Sequence, residues 1–322
     1  MSALGLVGGM LQIAVVVAAS PLLVGVMRQV RARLEGRVGP GLAQPWRDLR
    51  KLVGKEAVTP RGTSEPFRLA PAVLVASTLV VAVAVPLVAA ESALYPIADL
   101  FVVVAVLAVG TTALALAGLD TGSAFGGMGA SREMTIVALA EPTLLLAIFA
   151  LSVRAGSTNL ADLLAVTLDD PARVVSPVSL LAAVALLVVL VAETGRLPVD
   201  NPTTHLELTM IHEAMVLEYA GPDLALVELA SAMRMTVLLG LVATLFLPWG
   251  IATALTPAAL ALGVLALLVK VALLGAALGG IEVFLAKLRL FRVPELLAGS
   301  FLLALLAVAA SFFLAAGTGG QP

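Results

Sequence analysis

Cysteine is absent from the 322 residues. No disulfide can form, and no thiolate can hold an iron–sulfur cluster or a nickel–iron centre within this chain. Histidine is nearly absent too, with only His205 and His212. Bis-histidine haem ligation would need both. On a helix the two would stand about two turns apart, a poor arrangement for sharing an ion. Val216 follows His212-Glu213 where a zinc-binding HExxH helix needs its second histidine. Charged residues make up only 12% of the chain, against about 25% in ordinary soluble domains. Aromatic residues make up 4%. The net charge of −2 offers no footing for a polyanion, so nucleic acid is not an expected partner. There is no GxxxxGK[ST] phosphate loop and no GxGxxG after a strand, which removes the usual nucleotide sites. The N-terminus has no basic n-region, so Met1 onward is read as mature protein.

What is present in excess is apolar sequence. The chain is 61% hydrophobic, with a mean hydropathy of +1.09. A soluble fold of this size could not cover that much apolar surface. A bilayer core about 30 Å thick takes roughly 20 apolar residues per helix. Eight such runs are predicted, near 3–27, 69–89, 97–119, 133–152, 177–193, 229–249, 257–279 and 294–316. None alternates polar and apolar residues as a barrel strand would, so the expectation is an all-α bundle forming a single membrane domain. Sixteen of the nineteen Lys and Arg residues fall in or beside the segments 28–68, 120–132, 194–228 and 280–293. The positive-inside rule places those loops in the cytoplasm and both termini on the outer side.

The loops differ in character. In 28–68, Leu42, Trp46, Leu49, Leu52 and Val53 recur at helical spacing, with Arg47, Arg50 and Lys51 on the other side. This predicts an amphipathic helix in the headgroup plane. The turn before it, Arg37-Val38-Gly39-Pro40, is a candidate entrance to a cavity or a plain tight turn. Residues 118–131 hold five glycines and read as a flexible turn. The stretch STNLADLLAV on the outer side has the pattern of a short surface helix.

The segment 192–234 is acidic on the side where basic residues are preferred. It carries Glu193, Asp200, Glu207, Glu213, Glu218, Asp223 and Glu228 against Arg196 and Arg234. Several of these acids stand among Leu, Met and Val. A solvated loop accounts for some of them; the others suit carboxyls whose proton affinity is raised by burial. Within the spans, Glu141 precedes Pro142, and Lys270 lies in ALLVKVALL. Each costs about 2.5–3.5 kcal/mol at the bilayer centre on insertion scales. A packing Glu–Lys pair and a relay of protonatable groups are the two readings, with a midplane transporter site as a third. Glu133, Glu193 and Glu282 fall near span ends, where snorkelling to the interface is an alternative.

Together these motifs resemble a known family. RARLEGRVGPGLAQPWRDLRKLVGKE is similar to the segment after the first helix of the complex I subunit 1 family, which includes the NADH–quinone oxidoreductase H subunit. AETGRLPVDNP and LEYAG match further elements of that family. GGMGASREM followed by AETGRLPVDNPTTHLELTMIHEAMVLEY resembles the formate hydrogenlyase subunit 4 and hydrogenase-4 component C branch, among group 4 nickel–iron hydrogenases. The resemblance implies a prokaryotic cytoplasmic-membrane subunit without a catalytic centre of its own. It would dock hydrogenase-like large and small subunits and iron–sulfur subunits, which hold the clusters and the nickel–iron centre, and would contact antiporter-like membrane subunits. Carried onto matching positions, it places Arg37, Pro40, Glu193, Arg196, Asp200, Glu207 and Glu218 at the inner-face cavity. Burial adds Glu141 and Lys270. The loop reads PTTHLE where the complex I loop is more acidic, a departure from the quinone-reducing pattern. The leading expectation is coupling of electron transfer in the docked arm to ion translocation through Glu141, Glu193, Asp200, Glu207, Glu218 and Lys270. A quinone site is the alternative.

Overall fold

Prolines and short polar side chains set where the helices begin. The first turn of an α-helix has free N–H groups, so a hydroxyl or carboxamide that accepts from them contributes about 1 kcal/mol. Ser123, Ser176, Asn159 and Thr256 each accept from a backbone N–H two or three residues on. Proline in a first turn loses no hydrogen bond. The computed structural model describes residues 3–92, 94–170, 174–200, 210–289 and 292–318. In chain order the helices are α1 (Ala3–Leu34), α2 (Gln44–Val53), α3 (Glu65–Ala84), α4 (Leu100–Asp120), α5 (Ala124–Ala155), α6 (Leu160–Asp169), α7 (Pro177–Glu193), α8 (His212–Val216), α9 (Gly221–Phe246), α10 (Pro257–Phe284) and α11 (Val293–Thr318). The described residues contain no strand.

Seven of these, α1, α3, α4, α5, α9, α10 and α11, are long and apolar enough to cross a bilayer, and α7 is a shorter apolar helix of 17 residues. They coincide with the eight predicted runs, and the protein is an all-α, multi-pass membrane protein. α2 is the predicted amphipathic helix, tied to α1 by the Trp46 indole N–H donating to the Ala18 carbonyl at 3.1 Å. α6 is the predicted short helix. α9 is the hub, with 83% of its most apolar window buried against 28% for α10 and α11. It packs against α1, α2, α3, α7 and α10, while α5 packs against α4, α7 and α11. The exposed leucines of α10 and α11, such as Leu265, Leu273 and Leu306, form the apolar exterior that lipid requires.

Two expectations are corrected. The stretch 118–131 is no flexible turn. The reversal is confined to residues 121–123, and α5 starts at Ala124. The glycines serve close approach: a Cβ on Gly126 would meet the Gly118 carbonyl oxygen at 2.3 Å, and one on Gly129 the Ala214 Cβ at 2.8 Å. Small residues at helix contacts let backbones come together in this way. The acidic segment is also shorter than expected. α9 begins at Gly221 rather than near 229, and α8 covers only His212–Val216. Residues 217–220, Glu218 among them, belong to no helix. Glu207 and His205 lie outside the described residues.

The helix ends gather into two groups. One carries α2, α8 and the basic segments, and is called here the basic end. The other is stitched by the Ala89–Ala252 bridge and by Tyr95, whose hydroxyl donates to Asp162 at 2.9 Å.

Candidate functional site

Beneath the basic end, polar residues from five elements converge. α7 ends in Glu193, α9 supplies Arg234, and the segment after α7 supplies Arg196 and Asp200. α10 supplies Glu282, and Lys287 follows it. Three buried ion pairs join them. Arg234 pairs with Glu193, whose side chain is 3% exposed. Arg196 meets Glu282 at 3.6 Å and Lys287 meets Asp200 at 3.0 Å. Arg234 also donates to the Leu107 carbonyl at 3.1 Å, which ties α9 to α4. Asp200 accepts from the backbone N–H groups of Ile211 and His212 at 3.3 and 3.2 Å, anchoring the start of α8. On the other flank, Arg132 of α5 donates to the Met210 carbonyl at 3.0 Å.

These pairs are costly places for charge. Taking two ions out of water costs several kcal/mol each, and well-packed apolar residues of the same volume often serve stability as well or better. Moreover, one buried oxygen each of Glu141, Glu193 and Glu282, and the Arg234 Nε, have no hydrogen-bond partner among the described residues. Glu133, about two and a half turns into α5, is buried as well. The buried carboxyls thus hold more polar atoms than the described residues satisfy, which stability alone does not account for.

A cavity of about 290 Å³ opens beside this cluster. Arg28 and Arg31 from α1 and Glu228 from α9 line it, together with Arg196, Asp200, His212, Glu213 and Glu282. Burial and the neighbouring Glu228 and Asp200 push the Glu213 carboxyl up to about 7. Burial lowers the Arg196 guanidinium, which Glu282 offsets in part. A pocket of about 180 Å³ shares Val24, Arg28, Glu228 and Ala232 with the cavity. That pocket shares Leu49 with an apolar groove of about 700 Å³ between α2 and α9.

Of the expected site residues, Glu193, Arg196 and Asp200 come together here. Glu141 lies deeper along α5. Arg37 and Pro40 are exposed at the basic end, outside the cavity lining, with Arg37 paired to Glu35. The cavity takes Arg28 and Arg31 instead, because α1 continues as a helix to Leu34. Glu218 is exposed. Its neighbour Tyr219 is the buried member of LEYAG, stacked on Phe67 at 4.2 Å and donating to the Phe67 carbonyl at 2.8 Å. Lys270 meets no carboxylate of this cluster; it donates to the Trp249 carbonyl near the opposite end. Glu133 and Glu282, for which snorkelling was the alternative, are buried instead. The sequence reading gave no role to Arg28, Arg31, Arg234 or Lys287. The excess of acid over base in 192–234 was the signal that further cations, here Arg28, Arg31 and Lys287, had to come from elsewhere. Among the described residues no group of three or more His, Asp or Glu is arranged to hold a metal ion.

Known proteins share this sequence pattern and this fold. The model of the NADH dehydrogenase family matches residues 8–313. Hydrogenase-4 component C of Escherichia coli K12 is 38% identical over 258 residues, covering 79% of each chain. Formate hydrogenlyase subunit 4 of the same organism is 34% identical over 298 residues, 92% of this chain and 96% of that one. An NADH-quinone oxidoreductase H subunit of Syntrophobacter fumaroxidans is 33% identical over 252 residues, 73% of this chain and 74% of its own. The fold is shared with a chain of the membrane-bound sulfane sulfur reductase, an archaeal respiratory membrane complex, at a TM-score of 0.81 and 21% identity, over 95% of this chain and 98% of that one. These relatives are subunits of multi-subunit respiratory membrane complexes, and the chain belongs to the NADH dehydrogenase family of membrane subunits.

Proposed function

We propose that this chain is the membrane anchor of a hydrogenase-type respiratory complex in a prokaryotic cytoplasmic membrane, with its basic end in the cytoplasm. The peripheral redox arm docks there: hydrogenase-like large and small subunits with their iron–sulfur partners, which carry the clusters and the nickel–iron centre. Antiporter-like subunits lie beside it in the membrane. The chain couples electron transfer in the arm to ion movement through its buried carboxyls. One observation carries this reading: Glu193, paired with Arg234, keeps a buried oxygen without a partner, close to buried Glu133 and above Glu141. A charge arriving in the docked arm changes the potential at the cavity. A change of one pKa unit corresponds to about 1.4 kcal/mol, so a nearby unit charge in a poorly screened setting is enough to redistribute protons.

Arg196, Asp200 and Glu213 are the groups that meet the arm's field first. Glu141 lies on the onward path. Glu218, exposed at the basic end, and Glu207 belong to the docking margin in this reading. Glu141→Gln and Glu193→Gln in the assembled complex test it. Both variants are expected to assemble and turn over while losing most ion translocation per electron. Full coupling in either would overturn the relay.

A second reading, a quinone site, is supported by the chain of cavities from the α2–α9 groove to the Arg28 and Arg196 wall. The groove is apolar enough for an isoprenoid tail, and the inner cavity offers cationic donors to a polar head. Labelling of the 24–31 or 194–200 segments by a photoreactive quinone analogue would favour it.

A further inference from the structure

The cavity at the basic end does not simply abut the carboxylate cluster. A second pocket of about 30 Å³ lies behind it, lined by Glu133, Glu193 and Arg234. That is room for about one water molecule. Cavity and pocket share three residues, Thr194, His212 and Ser231. Of these only His212 is of a residue type that ordinarily exchanges protons near neutral pH. It belongs to α8, whose position is fixed from two sides: the His212 N–H donates to Asp200, and Gly129 of α5 meets Ala214 and Ile211 with no room for a Cβ. Its Nε2 lies 3.4 Å from the Ser231 hydroxyl.

We propose that His212 is the proton-transfer residue between the cavity at the basic end and the buried Glu133–Glu193 pocket. This deepens the relay reading above and rests on it. A proton from the cavity side, where Glu213 stands, adds to the neutral imidazole. The imidazolium then releases the proton on its other nitrogen toward Glu193 and Glu133. No electron moves, and the ring ends neutral in its other tautomer, reset by rotation about Cβ–Cγ. Burial, with Arg234 adding to it and Asp200 opposing it, lowers the affinity of His212 for a proton, so the ring rests neutral and ready to accept. The other charged groups around these spaces are Arg28, Arg31, Arg196, Glu228 and Glu282. An imidazole spans the partition because its two nitrogens point to opposite edges of one ring.

The test uses the purified complex in proteoliposomes, with turnover started by reduced methyl viologen and internal pH read by a dye. His212→Asn keeps a polar side chain that cannot titrate. It is expected to retain electron transfer and lose about tenfold in protons moved per electron. His212→Ala is expected to lose as much and to regain most of it when free imidazole is added. Wild-type coupling in His212→Asn, beside loss of coupling in Glu193→Gln, would overturn the role of His212 and leave the relay standing. Loss in both histidine variants with no response to imidazole would assign His212 a structural role and also overturn the proposal. Wild-type coupling in Glu193→Gln would bring down the relay itself.

Discussion

At the scale of single residues, the charges beneath the basic end are held where water would normally hold them. Removing Arg234 leaves the Glu193 carboxylate buried and unpaired. Arg234→Met is expected to destabilise the protein by about 3–5 kcal/mol, while the double variant Arg234→Met/Glu193→Gln recovers most of that loss. A double-mutant cycle read by thermal unfolding of the solubilised complex checks it. Glu213 behaves in the opposite sense. Its carboxyl is held at about 7 in the folded protein, above its ordinary range, so the folded state binds the proton more tightly than the unfolded chain. Between about pH 4.5 and 7 this costs stability as pH rises. Glu213→Gln is therefore expected to be neutral at pH 5 and to stabilise at pH 8, by on the order of 1 kcal/mol or about 2–4 °C in Tm. The acids of this cluster were legible in the sequence because carboxylates among Leu and Met are conspicuous. Their partners were not. Glu193 finds Arg234 41 positions away, and Asp200 finds Lys287 87 positions away. Such pairings are decided by helix packing, which local pattern does not encode.

At the scale of helices, lipid makes the sequence easy to read and glycine makes it ambiguous. The seven long helices and the shorter α7 all had to be apolar runs, so each was visible, as was the amphipathic α2. The start of α5 was not. A glycine cluster can mean a loose turn or a tight contact, and only the neighbours distinguish them. Here Gly129 faces Ala214, while Gly127 has no atom within 4 Å of an added Cβ. Gly129→Val is accordingly expected to push α8 away from α5 and to raise amide hydrogen exchange across residues 210–217. Gly127→Ala should leave that exchange unchanged and strengthen α5 by up to about 1 kcal/mol. α1 raises a related point. Its apolar run ends near Met27, yet the helix continues to Leu34. That extra length puts Arg28 and Arg31 over the cavity, whereas the sequence motif pointed to Arg37 and Pro40.

At the scale of the whole molecule, the proposed orientation rests on charge asymmetry, by which the basic end faces the cytoplasm. The absence of native cysteine makes the orientation directly measurable. Ala254→Cys, exposed at the end opposite the basic one, should react with a membrane-impermeant maleimide in intact cells. Arg61→Cys, exposed at the basic end, should react only in inverted vesicles. The reverse pattern would turn the docking face outward and remove the basis for an arm in the cytoplasm. Mild extraction should likewise bring down cluster-bearing and hydrogenase-like subunits with this chain.

The ion pair of Arg234 with Glu193 lies under protein rather than under solvent, and those of Arg196 and Lys287 are largely sheltered beside the cavity. Mobile ions weaken attractions between charges they can surround, within about 10 Å at 0.1 M ionic strength, and leave sheltered ones nearly untouched. Strong brine should accordingly peel away whatever clings to the arginine-rich exterior while the interior bracing persists, yielding a bare membrane scaffold to which its companions can be returned one by one.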